Sequence, residues 1–251
     1  MLDFGFYNMD CVEGMKQFPD NYFDLAIVDP PYGDASENMG GVLESVRGTV
    51  REVHQSTSSG TRASGARKSG GGYRTHQNRG TWAAKFGKKI VEWDVAPKKE
   101  YFDELFRVSK NQIIWGGNYF SLPPTRCFLI WRKTNIPEAF TMAMCEYAWT
   151  SFNDNAKMVE LSAAGQVGRF HPTQKPVALY EWILARYAKP NDIILDTHVG
   201  SASSLIACHN TQHKFVGFEI DSDYYAKAKA RLEAEQSQLS IFDLGYNPYQ
   251  E

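Results

Sequence analysis

The chain has 251 residues, 43% of them hydrophobic and 14% aromatic, with a formal net charge of −2 at pH 7. That length supports one large domain with a substantial core, and no apolar run approaches the roughly 20 residues a membrane span needs. The opening MLDFGFYNMDCVEGM has no basic stretch leading into a long apolar core, and Cys11, Cys127, Cys145 and Cys208 form no C-x-x-C pair. A secretory signal, a metal site and a disulfide framework are therefore not expected, and a reducing cytoplasm fits.

In chain order, the first clear element is the apolar run Leu25–Val28, a strand that stops at DPPYG. Two consecutive prolines lack the N–H that a ladder or a helix would use, so Asp29 and Tyr32 stand on a stiff corner. Residues 34–90 then lose all periodicity. The stretch STSSGTRASGARKSGGGYRTHQNRG is rich in Ser, Gly and Arg and nearly free of large aliphatic side chains, which predicts a mobile loop.

Regular structure resumes near Pro97 with a helix whose Phe102, Leu105 and Phe106 share a face. Strands follow at NQIIW, ending in Gly116 and Gly117, at CFLIWRK and at EYAWTSF. The stretch HPTQKPVALYEWILARYAKP predicts a loop feeding a helix from Pro176, with Leu179, Ile183, Leu184 and Tyr187 inward. DIILD predicts a strand ending at Asp196, GSASSLIACHN a helix start, and KFVGFEID a strand ending at Glu219. The last element, SDYYAKAKARLEAEQ, is an amphipathic helix with Ser222 as its expected N-cap. Strands alternating with helices imply an α/β fold with a doubly wound, mostly parallel sheet and no second globular domain.

The small net charge hides an asymmetry. Residues 47–90 hold ten basic side chains (Arg47, Arg51, Arg62, Arg67, Lys68, Arg74, Arg79, Lys85, Lys88 and Lys89) against the single acid Glu52, giving +9. The rest of the chain has 17 basic and 28 acidic side chains, giving −11. A basic insert in an acidic body, with Tyr73, Trp82 and Phe86 interspersed, points to a localised polyanion contact of the nucleic-acid kind.

Three acids end apolar strands: Asp29, Asp196 and Glu219. Ligands of open α/β sheets bind outside those strand ends. In DTHVGSASS, a glycine and small residues turn a strand into a helix, which lets a ligand approach the backbone and offers free N–H groups. The pattern is neither a full G-x-G-x-x-G nor a Walker A loop. Glu219, about twenty residues later, is placed to accept both hydroxyls of a ribose, a spacing that fits NAD and S-adenosylmethionine alike. At the corner, the Asp29 carboxylate and the Pro30 carbonyl form a pair of acceptors for an exocyclic amine, with Tyr32 available to stack on its ring.

Taken together, DPPYG, HPTQKP, DTHVGSASS and FVGFEID in this order resemble the amino-group DNA methyltransferases of the beta arrangement, in which the catalytic half precedes the cofactor half. The likeness is greatest to small phage and prophage adenine-modification methylases. It covers nearly the whole chain outside the basic insert. It implies a Rossmann-like, S-adenosylmethionine-dependent fold with permuted motif order: residues 1–33 and 91–170 as the catalytic half, 34–90 as the insert, 171–236 as the cofactor half and 237–251 as a tail.

The resemblance also implies residue roles. Asp29, Pro30, Pro31 and Tyr32 match the catalytic motif. Asp196, Gly200 and Ser201 match the turn that holds the methionine part of the cofactor, with His198 standing where Phe is usual and Ala202 where a second Gly is usual. Glu219 matches the ribose-binding acid, and Asp10, beside Cys11, resembles the acid that reaches the cofactor adenine. Thr173 and Lys175 match the motif that packs beside the methionine moiety. The insert, through the basic residues Arg47 to Lys88 named above, is expected to grip double-stranded DNA and read sequence, because the eighteen or so residues between EYAWTSF and HPTQKP are too few for a recognition domain. QLSIF (Gln238–Phe242) resembles the peptide by which bacterial proteins dock on the DNA sliding clamp.

The expected activity is methyl transfer from S-adenosylmethionine to the N6 amine of a flipped adenine. In the family an Asp in the first catalytic position leans towards adenine and a Ser towards cytosine. Cytosine N4 methylation is the nearest alternative, RNA or protein amide methylation a more distant one, and a DNA-coating relative without catalysis a different class. An NAD enzyme would leave the D-P-P-Y corner without use.

Overall fold

In a computed structural model, the described residues are 1–33, 95–138, 143–164 and 168–238. The chain divides into two compact units, one of Met1–Pro31 with Pro97–Glu251 and one of Tyr32–Ala96. Of the second unit only Tyr32, Gly33, Val95 and Ala96 are described, so the basic insert and every DNA-contact residue expected from Arg47 to Lys88 lie outside the described residues. The same holds for QLSIF beyond Gln238.

The first unit is built on one eight-stranded sheet. Its elements are β1 (Gly5–Asn8), α1 (Cys11–Met15), β2 (Phe23–Val28), α2 (Lys99–Val108), β3 (Ser109–Trp115), a 3-10 turn (Gly117–Tyr119), β4 (Phe128–Lys133), β5 (Cys145–Thr150), β6 (Lys157–Leu161), α3 (Val177–Tyr187), β7 (Ile193–Asp196), α4 (Ser203–Asn210), β8 (Lys214–Glu219) and α5 (Ser222–Gln236). The strand order is β1-β8-β7-β2-β3-β5-β4-β6, and every pairing is parallel except those of β5 with β3 and β4.

Both faces of this sheet are covered, which is why β2 reads as continuous apolar sequence rather than an alternation. On one face Leu25, Ile27, Ile113, Trp115 and Leu129 pack against Leu179, Ile183 and Leu184 of α3. On the other Ala26, Val28, Ile114, Leu195 and Phe218 pack against Met15 of α1 and Tyr101, Leu105 and Val108 of α2. Each such Leu or Ile, fully buried, contributes about 1.5–3 kcal/mol. Gly14 permits the close seat of α1, since a Cβ there would lie 2.5 Å from the Phe218 ring.

The helices depart from the sequence reading in small ways. α2 starts at Lys99, two residues after Pro97, and its buried stripe is Tyr101, Leu105 and Val108, with Phe102 and Phe106 only partly covered. In α3 the fourth inward residue is Tyr180, and Tyr187 packs at the margin. The N-cap of α5 is Asp221, not Ser222: its carboxylate accepts from the N–H groups of Asp223 and Tyr224 at 2.8 and 2.9 Å. A carboxylate at a helix N-terminus also meets the positive end of the helix dipole, so it wins over the neighbouring hydroxyl. The short elements β1, α1 and β6 have no strong periodicity and were not expected.

Candidate active site

β2 and β7 lie side by side, with Leu25 opposite Ile194 and Ala26 opposite Leu195. From β7 the chain proceeds through α4 to β8 on one side, whereas the strand that follows β2 in sequence, β3, lies on the other. This is the switch point of the sheet, and open α/β sheets bind ligands at such a point, outside the carboxyl ends of the strands. Asp29, Asp196 and Glu219 all sit along that edge.

Asp196 and Glu219 are held by neutral donors. Asp196 accepts from the His198 N–H at 2.9 Å and from the Ser204 hydroxyl. Its burial pushes the carboxyl up to about 7; the Ser204 and His198 bonds oppose that rise, and the charges of Asp29 and Glu219 add to it. Glu219 accepts from the Gly200 N–H at 2.8 Å and the Asp221 N–H at 3.0 Å, and burial raises its carboxyl as well. The same carboxylate therefore ties the β7–α4 turn to the start of α5.

The turn between them is compact. Gly200 has φ +56°, and a Cβ there would sit 3.2 Å from the His171 ring. Ala202 also adopts a left-handed conformation, φ +62°, immediately before α4. Arg231 of α5 donates to the Ser201 carbonyl at 2.7 Å and to the Ser203 hydroxyl at 3.0 Å, fixing the turn from behind. His198 shares a hydrogen bond with the Thr197 hydroxyl at 2.9 Å and meets Tyr101 edge-on, and Tyr101 bonds Thr197 at 2.7 Å. Burial drops His198 to about 4, so it is neutral at neutral pH and serves as a wall of the turn.

Asp10 caps α1, accepting from the N–H groups of Val12 and Glu13 at 2.9 and 3.0 Å. The Met9 N–H reaches the Glu219 carbonyl at 3.1 Å, which brings Asp10 and Cys11 to the β8 end. Burial, then the Asp10 charge, pushes the Cys11 thiol up to about 12, so it stays protonated and packs rather than reacts.

The HPTQKP loop touches both parts of the edge. His171 backs Gly200 and meets Tyr224 edge-on, and exposed Thr173 shares a hydrogen bond with the His171 ring at 3.1 Å. Lys175 turns the other way. Its ammonium is ion-paired with Asp29 and, at 3.2 Å, with Glu146. Glu146 is in turn paired with Lys133 at 2.6 Å. Burial works to raise the Glu146 carboxyl, but Lys175 and Lys133 outweigh it and hold it below its ordinary value. β5 is antiparallel, so its first residues reach the same edge as the last residues of β2 and β4.

The structure thus gathers Asp29, Lys175, Asp196, His198, Gly200, Ser201 and Glu219 at one sheet edge, with Asp10, Cys11 and Thr173 beside it. Tyr32 belongs to the second unit. Glu146, Lys133, Tyr101 and Arg231 were not singled out from sequence, because nothing local marks a strand or helix residue whose partner is distant. Among the described residues no group of three or more His, Cys, Asp or Glu is placed to hold a metal, and no helix is long and apolar enough to cross a membrane.

Comparison with known proteins agrees with this fold. The type II methyltransferase M.HpaI of Haemophilus parainfluenzae is 40% identical over 73 residues, an alignment that spans 29% of this chain and 23% of that protein. The PvuII DNA methyltransferase, cytosine-N4-specific, superposes with a TM-score of 0.54 at 12% identity, covering 94% of this chain and 87% of its own. The M1.HpyAVI–SAM complex superposes with a TM-score of 0.50 at 20% identity, covering 90% and 98%. The N6_N4_Mtase family model, described as DNA methylase, matches residues 94–230. That match takes in more than half of the sequence, from α2 through β8 to α5, and the chain belongs to this family of amino-group DNA methyltransferases.

Proposed function

We propose that this protein transfers a methyl group from S-adenosylmethionine to the N6 amine of an adenine flipped out of double-stranded DNA. The observation that supports it most is the juxtaposition at the switch point. The strand that runs into Asp29 lies beside the strand that opens the Asp196–Ser201 turn, which supports an amine-holding corner next to a nucleoside cradle.

The cradle fits the methyl donor. A left-handed glycine leaves the backbone open to a ligand. Glu219 spends one lone pair of each oxygen on a backbone N–H and keeps others for ribose hydroxyls. A buried carboxylate, Asp196, and a partly buried one, Glu219, both with neutral partners, favour a ligand bearing positive charge. In this reading Asp10, Cys11, Thr173, His198, Gly200 and Ser201 line the donor site. When bound, the donor supplies an electrophilic methyl on a sulfonium.

At the corner, Asp29 and the Pro30 carbonyl accept the two hydrogens of the adenine amine, Pro31 stiffens the backbone and Tyr32 stacks on the base. Those hydrogen bonds draw the nitrogen towards tetrahedral geometry and expose its lone pair to the methyl; as the N–C bond forms the S–C bond breaks, sulfur leaves as a neutral thioether, and the nitrogen sheds one of its two protons. Orientation and preorganised electrostatics supply most of the acceleration. Residues 47–90, of charge +9, grip phosphates, and the insert reads sequence. Gln238–Phe242 docks on a bacterial sliding clamp, in the cytoplasm; a pull-down against a Leu239→Ala/Phe242→Ala variant tests that.

The aspartate opening D-P-P-Y favours adenine. Expression in a methylation-free host, followed by modification-sensitive sequencing and mass analysis of digested DNA, tests base and site together. 6-Methyladenine at a defined sequence is the expected result; N4-methylcytosine moves the assignment to the other base.

A further inference from the structure

Lys175 sits in a motif whose resemblance assigns it to the methionine part of the cofactor, yet its surroundings point elsewhere. The side chain is 3% exposed, and its ammonium is paired with Asp29 on one side and Glu146 on the other. The ring of Trp115, at the end of β3, lies 5.3 Å from the ammonium nitrogen. An ammonium has three donors. Two carboxylates and an aromatic face account for the directions around it.

We propose that Lys175 is a positioning residue for methyl transfer: wedged between Asp29 and Glu146, it fixes the orientation of the Asp29 carboxylate that holds the target amine, and Glu146 in turn fixes Lys175. The inference rests on the functional reading above and adds residues to it. A carboxylate on a strand end can rotate about its side-chain torsions, and an amine acceptor is useful only when one plane is held. The seat is rigid from three sides. Pro176 is the N-cap residue of α3 directly after Lys175, Trp115 closes the strand neighbouring β2, and Lys133 pairs with the other carboxylate oxygen of Glu146. The four groups Asp29, Lys175, Glu146 and Lys133 form an alternating row with no net charge, so a buried cation and a partly buried carboxylate are both compensated. Burial works to lower the Lys175 ammonium, but Asp29 and Glu146 outweigh it and hold it above its ordinary value, so it remains a cation at every working pH.

The test separates positioning from cofactor binding. Lys175→Met, Lys175→Arg and Glu146→Gln are compared with wild type for donor affinity by calorimetry and for kcat and KM on DNA. Asp29 is also within electrostatic reach of Asp196 from β7, Tyr101 from α2 and Tyr180 from α3. These three groups are unchanged in all variants, so a difference in kcat reports the Lys175 row. The expected result is donor affinity within about 3-fold of wild type for all three variants, with kcat reduced about 100-fold in Lys175→Met, about 10-fold in Glu146→Gln and partly restored in Lys175→Arg.

Donor affinity that falls in step with kcat overturns the proposal and returns Lys175 to the cofactor. So does an unchanged kcat in folded Lys175→Met. If that variant does not fold, Glu146→Gln decides alone: a reduced kcat at unchanged donor affinity supports the proposal and an unchanged kcat overturns it. Absence of methyl transfer by the wild-type protein overturns the functional reading itself, and this inference with it.

Discussion

Two stretches of one sheet edge handle buried carboxylates in opposite ways. At the corner, β2, β4 and β5 bring together acids and lysines, and Glu146 is held below its ordinary range by Lys175 and Lys133 despite burial. At the cradle, Asp196 and Glu219 are held by backbone N–H groups and a serine hydroxyl, and burial drives both carboxyls up. The partners differ. A cation compensates the charge of the carboxylate, whereas neutral donors satisfy its lone pairs and leave the charge to be met by something else. The corner is complete within the chain. The cradle is electrostatically unfinished, which suits a site for a cationic ligand.

The largest effect is expected where the corner meets the target. Asp29→Ala should lower kcat on DNA about 1,000-fold, as loss of a preorganised hydrogen-bond partner does at other sites, while leaving donor affinity within a few-fold. A parallel loss of donor affinity would mean that corner and cradle are not separate. Next comes the cradle. Glu219→Ala should weaken donor binding about 10- to 100-fold by calorimetry, hydrogen bonds to a charged group being worth about 1.5–3 kcal/mol. Part of that loss passes through the Gly200 N–H, which Glu219 also holds.

A pH titration sharpens the contrast further. Burial pushes the Asp196 carboxyl up to about 7, above the ordinary carboxylate value of 3.8. The folded state therefore holds a proton through that interval, and the negative charge that favours a cationic donor develops only as pH rises through about 7. Donor affinity should rise between pH 6 and 8, by up to about tenfold per pH unit on the acid side, and Asp196→Asn should flatten the rise. A flat wild-type profile would show that Asp196 does not face the donor's charge. The smallest effect is expected at Ala202. Glycine there relieves a left-handed alanine, worth about 1–2 kcal/mol, but deletes a fully buried methyl, worth about 0.8 kcal/mol, so thermal denaturation of Ala202→Gly should move by only a degree or a few.

Much of this edge was legible from sequence, and the reason is local. Apolar runs ending in an acid and followed by Pro, Gly or a helix start mark Asp29, Asp196 and Glu219, because each strand, turn and acid are contiguous. The pairing partners were not legible for the opposite reason. Lys175 and Asp29 are 146 positions apart, and Glu146 lies on a strand whose alternation gives no sign that β5 runs antiparallel and starts at the active edge. The motif HPTQKP drew attention to Lys175 but attached it to the cofactor side; only the fold shows that the loop reaches both sides, His171 to the cradle and Lys175 to the corner. At the N-terminus of α5, Asp221 and Ser222 are both capable caps, and a one-residue choice between them needs backbone geometry. The short β1 and β6 lie at the two margins of the sheet, where few residues suffice and pattern is weak.

The central claim is that the D-P-P-Y corner and the neighbouring cradle together methylate an exocyclic amine of DNA. It is tested most directly by incubating the purified protein with labelled S-adenosylmethionine and unmethylated DNA, then identifying the labelled nucleoside by mass spectrometry, with Asp29→Ala as the control. Label in 6-methyladenine, lost in Asp29→Ala while donor binding persists, is the predicted result. DNA that stays unlabelled while the protein binds both donor and DNA would contradict the account.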